Sequence, residues 1–222
     1  MQSLKENFVI LEQNFSDTYK RSFEYYFIKR LVDIIGSLIG MIVLIPVFII
    51  VALLIKLESK GPIFFHQKRV GLNGKEFKMY KFRSMIVNAE ELLDKLKEKN
   101  EMTYPMFKIK DDPRVTRIGR FLRRTSIDEI PQLINVLKGE MSLVGPRPNL
   151  VSEVARFNRY HKLKLLAKPG LTCYWQVMGR SSIDFEEWME LDIKYLKERS
   201  TWVDLKLIFK TIGVLFGDEN AS

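Results

Sequence analysis

The stretch RRTSIDEIPQLINVLKGEMSLVGPRP, residues 123–148, predicts how the centre of this chain folds. Ser126 stands three residues before Glu129, which is the spacing of a helix capping box. Pro131 then falls near the first turn, where a missing N–H costs little, and Gly139 is suited to end the helix. The apolar residues between them have helical spacing and form one face: Leu133, Ile134, Val136 and Leu137. We therefore predict a helix whose amino end carries an Asp-Glu pair.

An acidic pair at a helix start often serves only as a cap, because free N–H groups and the helix dipole favour negative charge there. Asp128 and Glu129 nevertheless lie among cations, with Arg123 and Arg124 before them and Arg147 after them between two prolines. Neighbouring cations favour the ionised form of a carboxyl group. We therefore expect at least one carboxylate to be ionised at neutral pH, as a nucleophile or a metal ligand requires.

Composition narrows the class of protein. The 222 residues are enough for a real core, and the net charge of +9 indicates an anionic partner: nucleic acid, acidic lipid or a phosphorylated substrate. Cys173 is the single cysteine, which excludes an intrachain disulfide and fits a reducing compartment. The sequence has no Walker A loop, no G-x-G-x-x-G and no Asp-x-Asp pair, so P-loop, dinucleotide-binding and many metal-dependent glycosyltransferase folds are disfavoured.

An uncharged apolar run extends from Ile34 to Ile55. At about 22 residues it is long enough to cross the hydrocarbon layer of a bilayer as a helix. Pro46 predicts a kink, since a proline inside a helix removes a hydrogen bond. Both flanks are basic, whereas a spanning helix should be biased to one side: Lys29 and Arg30, then Lys56 and Lys60. The residues alone leave two alternatives of equal weight, a spanning helix and a re-entrant one that bends at Pro46.

A β-hairpin is predicted by the segments 63–70 and 77–85, which flank Gly71-Leu72-Asn73-Gly74. Amphipathic helices are predicted at both ends of the chain. Residues 1–28 repeat aromatic side chains every three or four positions, and the helix after Thr201 does the same with Trp202 and Phe209. The N-terminal stripe suits packing on a core and lying on a bilayer equally well.

Seven stretches together resemble the bacterial monotopic phosphoglycosyl transferases, the bacterial sugar transferases that begin glycan assembly on polyprenyl phosphate. The resemblance covers the chain from about Lys29 to its end, and the block at 125–148 is its most specific part. The matching stretches are KRxxD at 29–33, QKRVGLNG at 67–74, YKFRSM at 80–85, TSIDEIPQLINVLKGEMSLVGPRP at 125–148, KPGLT at 168–172, QVMGR at 176–180 and VDLKLI at 203–208.

The resemblance implies a reaction. A phosphosugar would pass from a UDP-sugar to undecaprenyl phosphate with release of UMP, through a covalent aspartyl-phosphosugar intermediate on Asp128. Glu129 would position or deprotonate the incoming groups, and Mg²⁺, with Asp128 as its ligand, would aid the diphosphate. A hexose and an N-acetylhexosamine both remain open as the sugar.

The resemblance also implies which residues bind. Lys81 and Arg83 match a basic strand near the phosphates, and Arg147 matches an arginine near the nucleotide. The remaining expected substrate-binding residues are Arg123, Gln176 and Arg180. The expected membrane residues are Lys29, Arg30, Asp33 and Pro46.

For the architecture, the resemblance implies an α+β, mostly helical fold with a re-entrant membrane helix, a small β-hairpin and amphipathic surface helices. We expect residues 1–28 to be an amphipathic extension, 29–58 the membrane helix and 59–222 the cytosolic catalytic domain, a minimal unit without further membrane helices. Two departures stand out: Ile45 replaces a serine common before the membrane proline, and Cys173 replaces a common glycine.

The expected partners are the UDP-sugar, undecaprenyl phosphate and membrane lipid at the cytosolic face of the bacterial inner membrane, with a homodimer as one open alternative. A rival hypothesis is a membrane-anchored, non-catalytic protein that binds nucleic acid or anionic lipid. It explains the net charge but not the acids among the arginines, which would repel a phosphate backbone. We therefore expect no nucleic-acid partner. A second rival keeps the substrates but lets the lipid phosphate attack the donor directly.

Overall fold

A computed structural model describes residues 19–92, 109, 111–178 and 184–217. These residues form a mostly helical α+β structure, as predicted. The helices are α1 (Phe23–Val43), α2 (Ile45–Glu58), α3 (Arg117–Arg124), α4 (Gln132–Lys138), α5 (Val151–Val154), α6 (Arg159–Lys162), α7 (Tyr174–Val177), α8 (Phe185–Glu198) and α9 (Thr201–Gly217). The strands are β1 (Phe64–Val70), β2 (Glu76–Phe82), β3 (Ser142–Val144), β4 (Asn149–Leu150) and β5 (Gly170–Thr172).

The apolar segment is a broken helix. Helix α1 ends at Leu44, and α2 leaves it at an angle of 59°. Pro46 lies in the first turn of α2, where its missing N–H breaks no helical bond, so the proline begins a new helix rather than kinking one. Among the described residues no single helix is long and apolar enough to cross a membrane, whereas the bent pair qualifies by length and composition. Helix α1 begins at Phe23, so the predicted boundary at residue 28 falls inside it.

The predicted hairpin is confirmed. Strands β1 and β2 pair antiparallel from Phe64 with Phe82 to Val70 with Glu76. A short 3₁₀ turn joins them, with Asn73 at a φ of 53°, which asparagine tolerates. Strand β4 extends this sheet along β1, and β3 pairs with β5 as a separate parallel pair. Because β4 directly follows the Pro146-Arg147-Pro148 segment, this pairing holds that segment next to the hairpin.

The central stretch departs from the predicted capping box. Ser126 has a φ of 57°, and its side chain does not cap the following turn. It occupies the left-handed position just beyond the carboxyl end of α3, whose last turn it closes by donating its N–H to the carbonyl of Arg123. Asp128 and Glu129 consequently lie on a 3₁₀ turn, and α4 begins only after Pro131. Gly139 ends α4 in the left-handed conformation, as predicted.

Helix α1 is fixed to the domain through its KRxxD motif. Arg30 donates to the carbonyls of Val136 and Leu137 at the carboxyl end of α4, both at 2.6 Å. Asp33 accepts hydrogen bonds from the Ser142 hydroxyl and from the backbone N–H of Leu143 in β3, both at 2.8 Å. These side chains therefore dock the helix onto the rest of the protein.

Apolar side chains stay exposed along three helices. Leu57 of α2 is 83% exposed, Phe23 of α1 82% and Trp202 of α9 75%. Further exposed apolar residues on the same helices are Phe27, Leu31, Ile35, Leu38, Ile42, Ile45, Ile49, Leu53, Phe209 and Ile212. Contiguous exposed apolar surface of this kind marks contact with another apolar phase or partner.

Candidate active site

The β1–β2 hairpin directs Lys81 towards the acidic turn. Alternate residues of β2 face α4, where Phe77 and Met79 pack against Val136. Asn135 joins the two elements: its side chain accepts from the backbone N–H of Tyr80 at 3.0 Å and donates to the carbonyl of Lys78 at 2.7 Å. Lys81 continues the inward face of the strand beyond these contacts, so its ammonium reaches the turn that precedes α4.

Four charged side chains meet at that turn. The Lys81 ammonium lies 2.7 Å from a carboxylate oxygen of Glu129 and 3.8 Å from one of Asp128. Arg147 approaches the same Glu129 oxygen at 3.4 Å. Asp128 and Glu129, the acidic dyad, thus face the two cations that the resemblance implied. Lys81 and Glu129 meet here although they are 48 positions apart in the chain.

Asp128 is the buried member of the dyad, with 6% of its surface exposed. Burial raises the pKa of its carboxyl group, and the neighbouring Glu129 raises it further, whereas Lys81, Arg123 and Arg147 oppose the rise. A buried carboxyl group with cations close by is an arrangement that a nucleophile or a metal ligand can use.

Arg147 is held by the segment around it. Its guanidinium lies 5.2 Å from the ring centre of Trp175, a cation–π distance. Arg69 of β1 donates to the carbonyl of Pro148 at 3.2 Å. Burial lowers the pKa of Arg69 to about 10, and the nearby charge of Arg147 lowers it as well. The guanidinium groups of Arg69 and Arg147 therefore both lie at the proline-framed segment beside the dyad.

The three other predicted binding residues differ in their surroundings. Arg123 donates to the Ser84 hydroxyl at 3.1 Å, close enough to the dyad for Asp128 to act on its pKa. Gln176 lines a small crevice together with Glu129 and Arg147. Arg180 lies outside the described residues.

Arg83 is placed elsewhere, contrary to the expectation that it lies near the phosphates. Strand β2 ends at Phe82, so the alternation that orients Lys81 no longer applies. The Arg83 guanidinium instead donates to the carbonyls of Ser59 and Lys60, both at 2.8 Å, and to the Ser59 hydroxyl at 2.9 Å. Arg83 therefore fixes the exit of the bent helix pair.

Buried groups that were not predicted from the sequence support the Pro146-Arg147-Pro148 segment. Lys164 and Asp192 form an ion pair at 2.5 Å, and neither is more than 2% exposed at its side chain. Lys164 also donates to the Asn149 side chain at 2.7 Å, directly after the segment. A lysine within the apolar Leu163–Leu166 turn was the available signal, because a buried lysine requires an acidic partner.

The dyad suits a hard cation in its ligand chemistry. Mg²⁺ takes oxygen ligands and keeps several waters, so one or two carboxylates with substrate phosphates suffice. The described residues contain no group of three His, Cys, Asp or Glu side chains arranged around a metal. The fit therefore rests on Asp128 and Glu129 with the phosphates of a donor.

Comparisons with known proteins agree with this geometry. A model of the family described as bacterial sugar transferase matches residues 24–218. The galactosyl transferase CpsE of Streptococcus agalactiae is 48% identical over 204 residues, which are 89% of this chain and 45% of that protein. The undecaprenyl-phosphate galactose phosphotransferase of Salmonella typhimurium is 41% identical over 199 residues, 88% of this chain and 42% of that protein.

A shorter relative matches over most of its own length. The exopolysaccharide production protein ExoY of Sinorhizobium fredii is 38% identical over 188 residues, which are 83% of both chains. This chain spans less than half the length of the two longer relatives, and the matched part contains the acidic dyad and the cations around it. The chain therefore belongs to the bacterial sugar transferase family.

Proposed function

We propose that this protein transfers a phosphosugar from a UDP-sugar to undecaprenyl phosphate and releases UMP, the first step in assembling a surface glycan. The observation that carries the proposal is the buried Asp128, which lies beside Glu129 and within reach of Lys81. Phosphoryl transfer needs a positioned nucleophile and cations that balance the charge developing on the phosphates. The relatives named as undecaprenyl-phosphate sugar transferases support the choice of substrates.

In the first half-reaction, an Asp128 carboxylate oxygen attacks the phosphorus that bears the sugar. The bond from that phosphorus to the bridging oxygen breaks, UMP leaves with the bridging oxygen, and an aspartyl-phosphosugar remains. Lys81 and Arg147 offset the negative charge of the donor phosphates, and Gln176 lies in the adjoining crevice to contact the donor. Bound Mg²⁺, held by Asp128 and Glu129, would supply further charge neutralisation at the diphosphate.

In the second half-reaction, an oxygen of undecaprenyl phosphate attacks the same phosphorus. The aspartyl P–O bond breaks, Asp128 is restored as a carboxylate, and the product is the sugar joined to the lipid through a diphosphate. Glu129 is placed to orient the incoming phosphate or to accept its proton, because it lies next to Asp128 and carries the Lys81 contact.

We further propose that α1 and α2 enter the cytosolic leaflet of the inner membrane as a re-entrant pair, with α9 lying on its surface. The 59° break at Leu44 and the exposed apolar faces of the three helices support this arrangement. A site at the bilayer surface brings a water-soluble donor and a lipid phosphate to the same cations.

The proposal is tested by release of UMP from purified protein with undecaprenyl phosphate, Mg²⁺ and a panel of UDP-sugars. We expect turnover with at least one hexose or N-acetylhexosamine donor. Asp128→Asn keeps the size of the side chain and should abolish turnover in a folded protein. Normal turnover by this variant would show that Asp128 takes no part in the reaction. The absence of turnover with every nucleotide sugar would contradict the proposed reaction.

A further inference from the structure

A cavity of about 370 Å³ lies between α1, the tip of the β1–β2 hairpin and the segment that precedes β5. It shares no lining residue with the crevice beside the acidic dyad. Five basic residues line it, and Asp33 is the acid among them: Lys20, Lys29, Arg30, Lys168 and Arg199. The cavity lining therefore has a formal charge of +4, the sum of five cations and one carboxylate.

Neutral oxygens satisfy two of these cations without cancelling their charge. Arg30 donates to two main-chain carbonyls, and Arg199 donates to the carbonyl of Tyr19 at 2.8 Å and the hydroxyl of Tyr26 at 3.1 Å. Lys29 is the exception, because it forms an ion pair with Asp204. Excess positive charge therefore remains in the cavity.

Two donors of the cavity residues are uncommitted within the described part of the chain. The Nε of Arg199 is buried and makes no hydrogen bond there, although the residue is only 5% exposed. The ammonium of Lys168 makes no hydrogen bond or ion pair with the described residues. Burial lowers the pKa of Lys168, and Arg30 and Lys29 lower it further against the opposing charge of Asp33. An anion bound here would engage both donors and offset this repulsion.

The cavity is separate from the proposed reaction centre. Arg30 contacts the carboxyl end of α4, whereas the acidic dyad precedes its amino end. At about 1.5 Å per residue, the seven residues of this helix place roughly 10 Å between the two ends. The cavity and the acidic dyad therefore lie at opposite ends of α4.

Exposed apolar side chains adjoin the cavity. Tyr26 lines it and is 42% exposed, and Phe23 and Phe27, within one turn of Tyr26 on α1, are still more exposed. We propose that the cavity binds the phosphate of an anionic phospholipid headgroup, with Lys168 and Arg199 as its principal donors and α1 beside the acyl chains. A soluble phosphate carries the same charge but has no apolar part that could contact these exposed side chains. The inference goes beyond the transferase reaction and does not require it.

Native mass spectrometry of the full chain in detergent tests the proposal, with phosphatidylglycerol as the probe. We expect wild-type protein to retain the lipid and Lys168→Gln to retain about ten-fold less, the scale of one charge-assisted hydrogen bond. Lys168→Arg should restore retention, and Lys78→Gln, an equal charge loss at an exposed lysine outside the cavity, should leave it unchanged.

Three results would overturn the assignment: equal retention by Lys168→Gln, an equal loss in Lys78→Gln, or equal retention of zwitterionic phosphatidylcholine. Thermal melting of each variant separates loss of binding from loss of fold, and failure of Lys168→Arg to bind while folded would also count against the site. Inorganic phosphate at millimolar concentration is the second probe. Persistence of the lipid supports the headgroup as the ligand, whereas its displacement overturns that choice in favour of a soluble phosphate.

Discussion

Replacing Lys29 by Met should lower the free energy of unfolding strongly, because Lys29 docks the apolar helix α1 onto α9. The Lys29 ammonium lies 2.8 Å from Asp204 of α9, with the two side chains only 12% and 7% exposed. It also donates to the carbonyl of Val144 at 2.9 Å. Tyr195 donates to the same aspartate at 2.7 Å, and burial together with Asp204 raises the pKa of this tyrosine well above its usual range, so it remains a donor.

Removing one partner of a buried ion pair costs about 3–5 kcal/mol, because the other charge stays buried without compensation. Lys29→Met and Asp204→Asn should each approach that range, and the double variant should cost clearly less than their sum. The surface pair Lys68–Glu76 is the matched control: its groups lie 3.7 Å apart and are 72% and 34% exposed. Its coupling free energy should be about 0–1 kcal/mol.

Thermal unfolding in detergent, followed by intrinsic fluorescence, measures both double-mutant cycles. A coupling free energy between Lys29 and Asp204 of at least about 2 kcal/mol above that of the surface pair would agree with the structure. Equal coupling in the two cycles would mean that the buried network does not fix α1 to α9.

Three further predictions concern other parts of the molecule. Gly119→Ala should destabilise the fold, because an added Cβ would lie 1.9 Å from the carbonyl oxygen of Ser84; an unchanged melting temperature would contradict this packing. The side chain of Arg114 lowers the pKa of Asp112 below its ordinary 3.8 in the folded protein. As the pH falls, the unfolded chain therefore binds this proton first, and the stabilisation present above pH 3.8 is lost as the pH falls through the folded pKa. Melting temperatures between pH 5 and 3 should fall more steeply in wild type than in Asp112→Asn, and parallel curves would contradict this prediction. Pro46→Leu should favour a straight, spanning helix. Cysteines substituted near residues 23 and 60 should then be labelled from opposite sides of the membrane instead of from one side. Unchanged labelling would mean that Pro46 does not set the bend.

Local patterns predicted the hairpin and the end of α4 at Gly139, because strand alternation and glycine chemistry act within a few residues. The capping box failed for a local reason as well. Ser126 carries signals for ending one helix and for starting the next, and the end of α3 determines its conformation. Sequence alone does not rank two such overlapping signals.

The partners of charged side chains were harder to predict. Lys29 reads as a basic flank of an apolar run, yet its carboxylate partner is 175 positions away. Arg83 reads as part of a basic strand, yet the strand ends one residue earlier and the side chain turns to the exit of α2. Both outcomes depend on how distant elements pack, which charge and periodicity do not specify. The family resemblance singled out Lys81 as a residue near the phosphates, and its contact with the acidic dyad became visible only in the structure.

The proposed covalent step can be measured directly. Purified protein is incubated with a UDP-sugar labelled in the sugar phosphate, without any lipid acceptor, and then digested and mapped by mass spectrometry. We expect stoichiometric UMP release and a phosphosugar adduct on the peptide containing Asp128, absent from Asp128→Asn and discharged by undecaprenyl phosphate. Release of UMP that depends strictly on the lipid, with no adduct on Asp128 at any time, would contradict it and favour direct attack by the lipid phosphate.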